Sequence, residues 1–333
     1  MAEFTKKFLP EGGLNAAGWT VGVDLGGTKI EAALAAPDGA LVARPRAPTP
    51  RGDYAGTIEA IAALVATVTA CAPADVGPIP VGVGMPGALS RRTGLVKNAN
   101  STWLIGKPLD HDLARRLGRP VRVANDADCF ALSEAIDGAA AGADVVFGVI
   151  LGTGVGGGVV VGGRPLASPN GIAGEWGHNP LPWADPARDP AHACYCGKRG
   201  CIETYLSGPG FAAHAGIGAD AAEIAAAARA GDSEAAAALD LYCDRLARGL
   251  AGAINILDPD VIVLGGGLSH LSELYERVPT YWKKYVFSDH VETRLTPPLH
   301  GDSGGVRGAA WLWRDADPAA ILAWSPPHDD APP

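Results

Sequence analysis

The chain has 333 residues, 47% of them apolar and 19% charged, a globular composition long enough for two cores. Its 36 acidic against 27 basic residues leave a net charge of −9, which argues against a general nucleic-acid surface but not against phosphate held by backbone N–H groups. No apolar run reaches the ~18–20 residues of a membrane span, and residues 1–18 read as a short tail without a cleavable leader, so a cytoplasmic location with no membrane partner is the default expectation.

In chain order, residues 19–25 read as a buried strand, with 30–36 and 40–47 as its antiparallel neighbours. A helix is expected from Asp53 to Cys71, a strand over 79–84 ending in the turn Met85-Pro86-Gly87, a helix over 108–118, a strand over 121–124 and a helix from Asp126 to about Ala140. The pattern then restarts with a strand over 145–151, a Gly-rich turn and a strand over 158–163. Helices dominate 204–257, a buried strand runs over 260–264, and helices over 271–287 and 306–313 follow. Strand, glycine turn, strand thus occurs near residue 24 and near residue 154, a weak internal repeat. The order indicates mixed sheets covered by helices.

Asp24-Leu25-Gly26-Gly27-Thr28-Lys29 lies between two strands. Paired glycines permit a tight turn whose N–H groups can approach an anion; Thr28 adds a hydroxyl, Lys29 a charge, and Asp24 a carboxylate able to hold a metal-bound water. The run Gly152-Thr153-Gly154-Val155-Gly156-Gly157-Gly158 matches G-x-G-x-x-G, but Val159, Val160 and Val161 extend a strand where a dinucleotide-binding loop would open a helix. It reads as a second strand–turn–strand phosphate clamp. No P-loop motif is present. Gly265-Gly266-Gly267 after a buried strand is either a close approach to an adenosine or a tight turn into a helix.

Asn125-Asp126 ends a strand just before a helix, where Asp126 can accept a proton from an attacking hydroxyl, cap the helix, or do both. Residues 98–103 (NANSTW) offer amide groups and an aromatic ring suited to sugar hydroxyls, with Asn100 among them. Glu175, His178 and Glu203 add two carboxylates and an imidazole. Three of the six cysteines, Cys194, Cys196 and Cys201, fall within eight residues. With His178 upstream they compose a Cys₃His set that fills a tetrahedral zinc, structural because no ligand position stays open. Cys71, Cys129 and Cys243 read as packing residues.

These motifs in combination (DLGGTK, GMPG, VANDAD, LGTGVGGG, GEWGH, CYCGKRGCIE and LDPDVIVLGGGLS) resemble the ROK family of sugar kinases and regulators, from about Trp19 to Trp313. KNANSTWL, GEWGHNPLPW, GCIETYLSG and HGDSGGVRGAAWLW are similar to its bacterial fructokinase/mannokinase branch. The resemblance implies a two-lobed α/β fold of the actin/hexokinase (ribonuclease H-like) type, with an interlobe cleft and a small zinc-binding insertion over 178–201. The small lobe is expected over 19–122, joined by a C-terminal helix at about 306–324, the large lobe over 123–305, and a disordered tail over 325–333. It further implies ATP and Mg²⁺ at Asp24, Gly26, Gly27, Thr28, Lys29, Gly152, Thr153, Gly154, Val155, Gly156, Gly157, Gly265 and Gly266. Asp126 is implied as catalytic base, Gly87, Asn100, Asn125, Asp126, Glu175, His178 and Glu203 as sugar contacts, and His178, Cys194, Cys196 and Cys201 as ligands of a structural zinc. The expected reaction is transfer of the ATP γ-phosphoryl to a hexose, D-fructose at its 6-hydroxyl first, with N-acetylglucosamine, mannose or glucose as the alternative. A sugar-responsive regulator is the remote alternative, since fewer than twenty residues precede the first strand. A homodimer is implied by resemblance alone. Asp128 departs from the family pattern, where Asn is expected.

Overall fold

The computed structural model describes residues 18–317 together with 320, 321 and 325. The tails expected at 1–18 and 325–333 therefore lie, apart from Gly18 and Ser325, outside the described residues. In chain order the elements are β1 (Thr20–Leu25), β2 (Lys29–Ala35), β3 (Leu41–Ala43), β4 (Arg46–Pro48), α1 (Tyr54–Thr69), β5 (Val81–Met85), β6 (Ala88–Leu89), β7 (Val96–Lys97), α2 (Leu109–Leu117), β8 (Val121–Asn125) and α3 (Asp126–Ile136). They continue with β9 (Val145–Leu151), β10 (Val155–Val161), β11 (Arg164–Pro165), α4 (Glu203–Leu206), α5 (Gly208–Ala215), α6 (Ala221–Arg229), α7 (Ser233–Leu257), β12 (Val261–Gly265), α8 (Ser272–Tyr281), β13 (Arg294–Thr296) and α9 (Gly304–Trp311).

The chain divides into two α/β units. The first comprises the chain up to Gly142, Pro165–Ala173 and the chain from His300; the second comprises Ala143–Arg164 and Gly174–Leu299. In the first, the sheet order is β3-β2-β1-β5-β8, with β4 also on β2. In the second it is β11-β10-β9-β12-β13. Each sheet opens with an antiparallel hairpin (β1 on β2, β9 on β10) and continues in parallel strands. The repeat glimpsed in the sequence is thus a repeat of topology.

The boundary expected after residue 122 falls instead after Gly142. β8 is a parallel partner of β5, and α3 packs on α9, so both elements belong to the first unit. The expected helix over 306–324 ends at Trp311 and passes into a turn; residues 318, 319 and 322–324 of that span lie outside the described residues. Segment 40–47 breaks into β3 and β4, which pair with β2 in succession.

α9 is seated on the first sheet through missing side chains. A Cβ on Gly22 of β1 would lie 1.9 Å from the Val306 carbonyl oxygen, and one on Gly82 of β5 would lie 1.8 Å from that of Ala309. On the other side of the helix, a Cβ on Gly308 would meet the Cys129 carbonyl oxygen of α3 at 1.7 Å. The helix backbone therefore lies directly on the sheet backbone and on α3. The core of this unit is aliphatic, with Val21, Val23, Ile30, Leu34, Ile61, Val81, Val83 and Met85 fully enclosed.

The second unit has its own core between β9, β10 and β12 and helices α4, α5 and α7, with Phe147, Tyr205, Phe211, Tyr242 and Trp282 buried in it. Helix starts here follow side-chain capping. Ser207 accepts from Gly210 N–H, Asp220 with Glu223 forms a capping box on α6, and Asp232 caps α7. No helix among the described residues is long and apolar enough to cross a membrane.

Gly308→Ala forces a methyl into backbone that cannot yield, so it should lower stability by about 1–3 kcal/mol or more. Thermal denaturation of the purified variant, read as a fall of several degrees in midpoint, checks this.

Candidate active site

In the first unit, the β1–β2 turn is closed by Gly26 N–H donating to the Lys29 carbonyl at 3.0 Å. Its other carbonyls are drawn away. Thr49 Oγ1 donates to Gly26 O at 2.8 Å, Thr49 N–H to Thr28 O at 3.0 Å and Arg51 Nε to Gly27 O at 3.0 Å. Thr28 and Lys29 are exposed. With the carbonyls so held, the turn presents N–H groups, a hydroxyl and an ammonium, a set that suits an anion.

At the mouth of that turn, burial first and then the charge of Glu31 push the Asp24 carboxyl up to about 6. Glu31 is Asp24's cross-strand neighbour, itself paired with Arg44 and Arg46. Asp126 is the first residue of α3; the cap is Asn125, whose Oδ1 accepts from Ala127 N–H at 2.9 Å, while Asp126 Oδ1 accepts from the same N–H at 2.8 Å. Asn125 Nδ2 donates to Gly87 O at 3.0 Å, so both ends of that amide are engaged in holding the turn at Gly87 (φ +80°) to the start of α3. Burial, and then the charges of Asp128, Asp24 and Asp126, hold the Cys129 thiol well above its usual range. Asp24, Asp126 and Asp128 thus all act electrostatically on Cys129, and carboxylates are the ligand type a hydrated divalent cation takes. Asn100 stands exposed on its loop, with Ser101 Oγ 3.5 Å from its Oδ1.

In the second unit the glycine run serves two purposes. Gly152–Gly154 is the turn, closed by Gly152 N–H to Gly154 O at 3.0 Å. Val155, Gly156 and Gly157 already belong to β10, paired with Leu151, Ile150 and Val149, so the strand starts three residues earlier than the valines suggest. Gly157 makes room for Trp176, since a Cβ there would lie 2.7 Å from its Cδ1, while the Gly156 carbonyl accepts from its Nε1 at 3.0 Å. Val155 N–H donates to Glu203 Oε2 at 3.0 Å. Of the run 152–157 expected as a clamp, the first three residues form the turn and the last three the strand.

Beside Gly152 and Thr153 opens a cavity of about 700 Å³. Gly208, Pro209 and Ala212 of α5, Asp220 to Ala222 at the start of α6, and Gly267, Leu268, His270 and Leu271 after β12 complete its wall. Gly266 turns the chain at φ +79°, where a Cβ would strike the Leu151 carbonyl at 2.4 Å; Gly265 is the buried end of β12. The sequence reading missed the α5 and α6 contributions, although Ser207 and Asp220, the caps that expose those helix starts, were legible as N-cap residues.

Trp176 is also the pillar of the neighbouring site. Its buried ring meets Phe147 edge to face at 5.7 Å, while Glu175 before it is exposed and His178 after it is half-buried. His178 Nδ1 lies 3.6 Å from Cys194 Sγ, and Cys196 Sγ lies 3.6 Å from Cys201 Sγ. The four ligand atoms all lie within 4.8 Å of one another. Metal–sulfur bonds near 2.3 Å give tetrahedral edges of about 3.5–3.8 Å, so the donor set and its spacing fit zinc. The segment is anchored independently by Asp189, buried with Arg245 and Arg248 of α7. Arg245 Nε reaches Asp189 Oδ1 at 2.8 Å and Arg248 Nη1 reaches Oδ2 at 2.8 Å. Burial would raise the Asp189 carboxyl, but the two guanidinium groups hold it below the usual carboxylate range. This anchor was not foreseen, because an Asp and two Arg 56 and 59 residues away carry no local pattern.

Glu203 Oε1 lies 4.0 Å from Cys194 Sγ, so one carboxylate touches both the cysteine cluster and, through Val155, the start of β10. Tyr195, between two of the cysteines, places its hydroxyl 3.0 Å from His178 Nε2.

The sequence model of the ROK family matches residues 20–316. An N-acetyl-D-glucosamine kinase of Pectobacterium atrosepticum is 42% identical over 302 residues, which cover 87% of this chain and 97% of that protein. The crystal structure of a ROK hexokinase from Thermus thermophilus superposes with a TM-score of 0.77 at 32% identity, covering 89% of this chain and 97% of that one. A ROK family glucokinase from Streptomyces griseus, solved in complex with glucose and AMPPNP, superposes with a TM-score of 0.70 at 29% identity, covering 89% and 99%.

Two measurements check the chemistry of these residues. If the Cys₃His cluster holds zinc, a chromogenic assay should find about one equivalent per chain, and Cys201→Ser should lose it together with thermal stability. Asp24 ionises near 6 when folded but near ~3.9 when unfolded, so without a cation the fold loses stability as pH rises from about 4 through 6. Asp24→Asn removes that loss: its unfolding free energy from denaturant titration should match wild type near pH 4 and exceed it, by about 2–3 kcal/mol, at pH 7.5.

Proposed function

Because the chain belongs to the ROK family, we propose that it is an ATP-dependent sugar kinase whose hexose is N-acetyl-D-glucosamine. The observation that carries the activity is that one unit holds a carboxylate at the start of α3 and a glycine turn, and the other a glycine turn with a cavity beside it. The sugar-kinase class also has the support of the hexokinase and glucokinase structures. For the sugar, the 42% identity to an N-acetyl-D-glucosamine kinase outweighs the motif likeness that first favoured D-fructose, and fructose gives way to it.

In this reading the nucleotide base and ribose occupy the cavity of the second unit, with N–H groups of Gly152–Gly154 for phosphate; the Gly26–Lys29 turn is the phosphate-binding turn of the first unit. Mg²⁺, held through Asp24, would neutralise phosphate charge. Asp126 accepts the proton of the attacking hydroxyl. A carboxylate of ordinary basicity suffices, since phosphoryl transfer is limited by positioning and charge stabilisation rather than by prior deprotonation. Glu175, His178 and Glu203 are the sugar-reading groups of the second unit, and Asn100 is that of the first. Asn125 and Gly87 shape the loop at Asp126 through their mutual hydrogen bond. Zinc would fix the Nδ1 side of His178 and leave Nε2 for other partners.

A coupled ADP-release assay over N-acetyl-D-glucosamine, D-fructose, D-mannose and D-glucose tests the reading. The highest kcat/KM is expected for the acetylated sugar. Asp126→Asn should lower kcat by about 10³-fold or more with little change in sugar binding. Near-normal turnover in that variant would remove Asp126 as the base, and preference for fructose would restore the other sugar while keeping the enzyme class.

A further inference from the structure

His178 has two faces. Nδ1 is turned to the cysteines, 3.6 Å from Cys194 Sγ. Nε2 is therefore the one ring atom left for any other partner, and it is already in use: Tyr195 Oη lies 3.0 Å from it. The two rings meet edge to face at 5.1 Å and 87°. An imidazole whose Nδ1 side serves a metal carries its proton on Nε2 and offers a single N–H. One N–H makes one strong, well-directed hydrogen bond. A sugar hydroxyl that takes Nε2 must take it from Tyr195.

Tyr195 is free to yield. Its side chain is 81% exposed, and it sits between Cys194 and Cys196, whose backbone is fixed by Cys194 N–H to Lys198 O at 2.8 Å and Gly197 N–H to Cys194 O at 3.0 Å. The side chain can swing without disturbing the hairpin that carries the thiols.

We propose that Tyr195 sets the sugar affinity of this chain: its hydroxyl is the resident partner of His178 Nε2 and is exchanged for a substrate hydroxyl when the hexose binds. The proposal rests on the reading of His178 as a sugar ligand. Its consequence is that the free protein holds its own substitute for the substrate at the imidazole, and sugar binding carries the loss of one protein hydrogen bond.

Tyr195→Phe keeps the ring and its edge contact but removes the hydroxyl. In zinc-loaded protein, calorimetric titration with N-acetyl-D-glucosamine, and with glucose as a second probe, should show Kd about two- to tenfold lower than wild type, the range of one net hydrogen bond. KM for the sugar should fall in parallel, with kcat and zinc content unchanged. A merely structural role would move zinc content or stability and raise KM. Unchanged or weaker sugar binding in Tyr195→Phe overturns the proposal. The underlying reading has a separate check in ¹⁵N-histidine spectra of wild type. A His178 Nε2 resonance that moves on adding sugar supports it; a resonance that stays put removes His178 as a sugar ligand and Tyr195 with it. A moving resonance together with unaltered Tyr195→Phe affinity removes only the exchange.

Discussion

The contact on which the first unit depends is backbone against backbone, where α9 rests on β1 and β5 through Gly22 and Gly82 and against α3 through Gly308. Three absent side chains bring one helix to within van der Waals contact of two strands and a second helix. The Asp24 carboxylate and the start of α3 both lie against the helix so seated. Gly305 at the start of α9 lies against the Asp24 carboxylate, where an added Cβ would stand 3.0 Å from Oδ2. Cys129 of α3 packs against Gly84 of β5 and carries the field of Asp24, Asp126 and Asp128. A residue larger than glycine at any of the three seats lifts α9 and with it the geometry of the carboxylates.

The second unit solves its placement problem differently, with polar anchors rather than absent atoms. Trp176 is pinned by Gly156 O and Phe147, and its rigid ring displays Glu175 on one side and His178 on the other. Asp189 ties the loop between His178 and Cys194 to α7. Glu203 closes the circuit to β10. The Cys₃His cluster and the β9–β10 turn are thus neighbours through one carboxylate, which explains why the sequence interleaves glycine, cysteine and acidic motifs over fifty residues.

Much of this was legible in the sequence. β9 falls on residues 145–151 as its unbroken apolar run indicates, and α1 follows its Asp53 cap. The four ligand residues of the cluster come together as their spacing foretold. What escaped was long-range or purely geometric. β10 begins at Val155, and Gly157 is a strand residue whose missing side chain admits Trp176, a reason visible only once the tryptophan is in place. β13, three residues long, has no pattern of its own and exists because β12 offers an edge. The domain boundary moved because pairing of β8 with β5, not composition, decides where α3 belongs. The choice of sugar also lay beyond local motifs, which specify polar groups but not the shape that tells an acetamido group from a hydroxyl.

Asp189 gives the cysteine segment a foothold that owes nothing to thiol chemistry. Zinc-finger folds collapse without their ion because nothing else orders the ligands. Here Arg245 and Arg248 hold the stem of the loop in place, each guanidinium buried and engaged. The stem of the cysteine loop is therefore tied to α7 by charge, through contacts that do not involve the thiols.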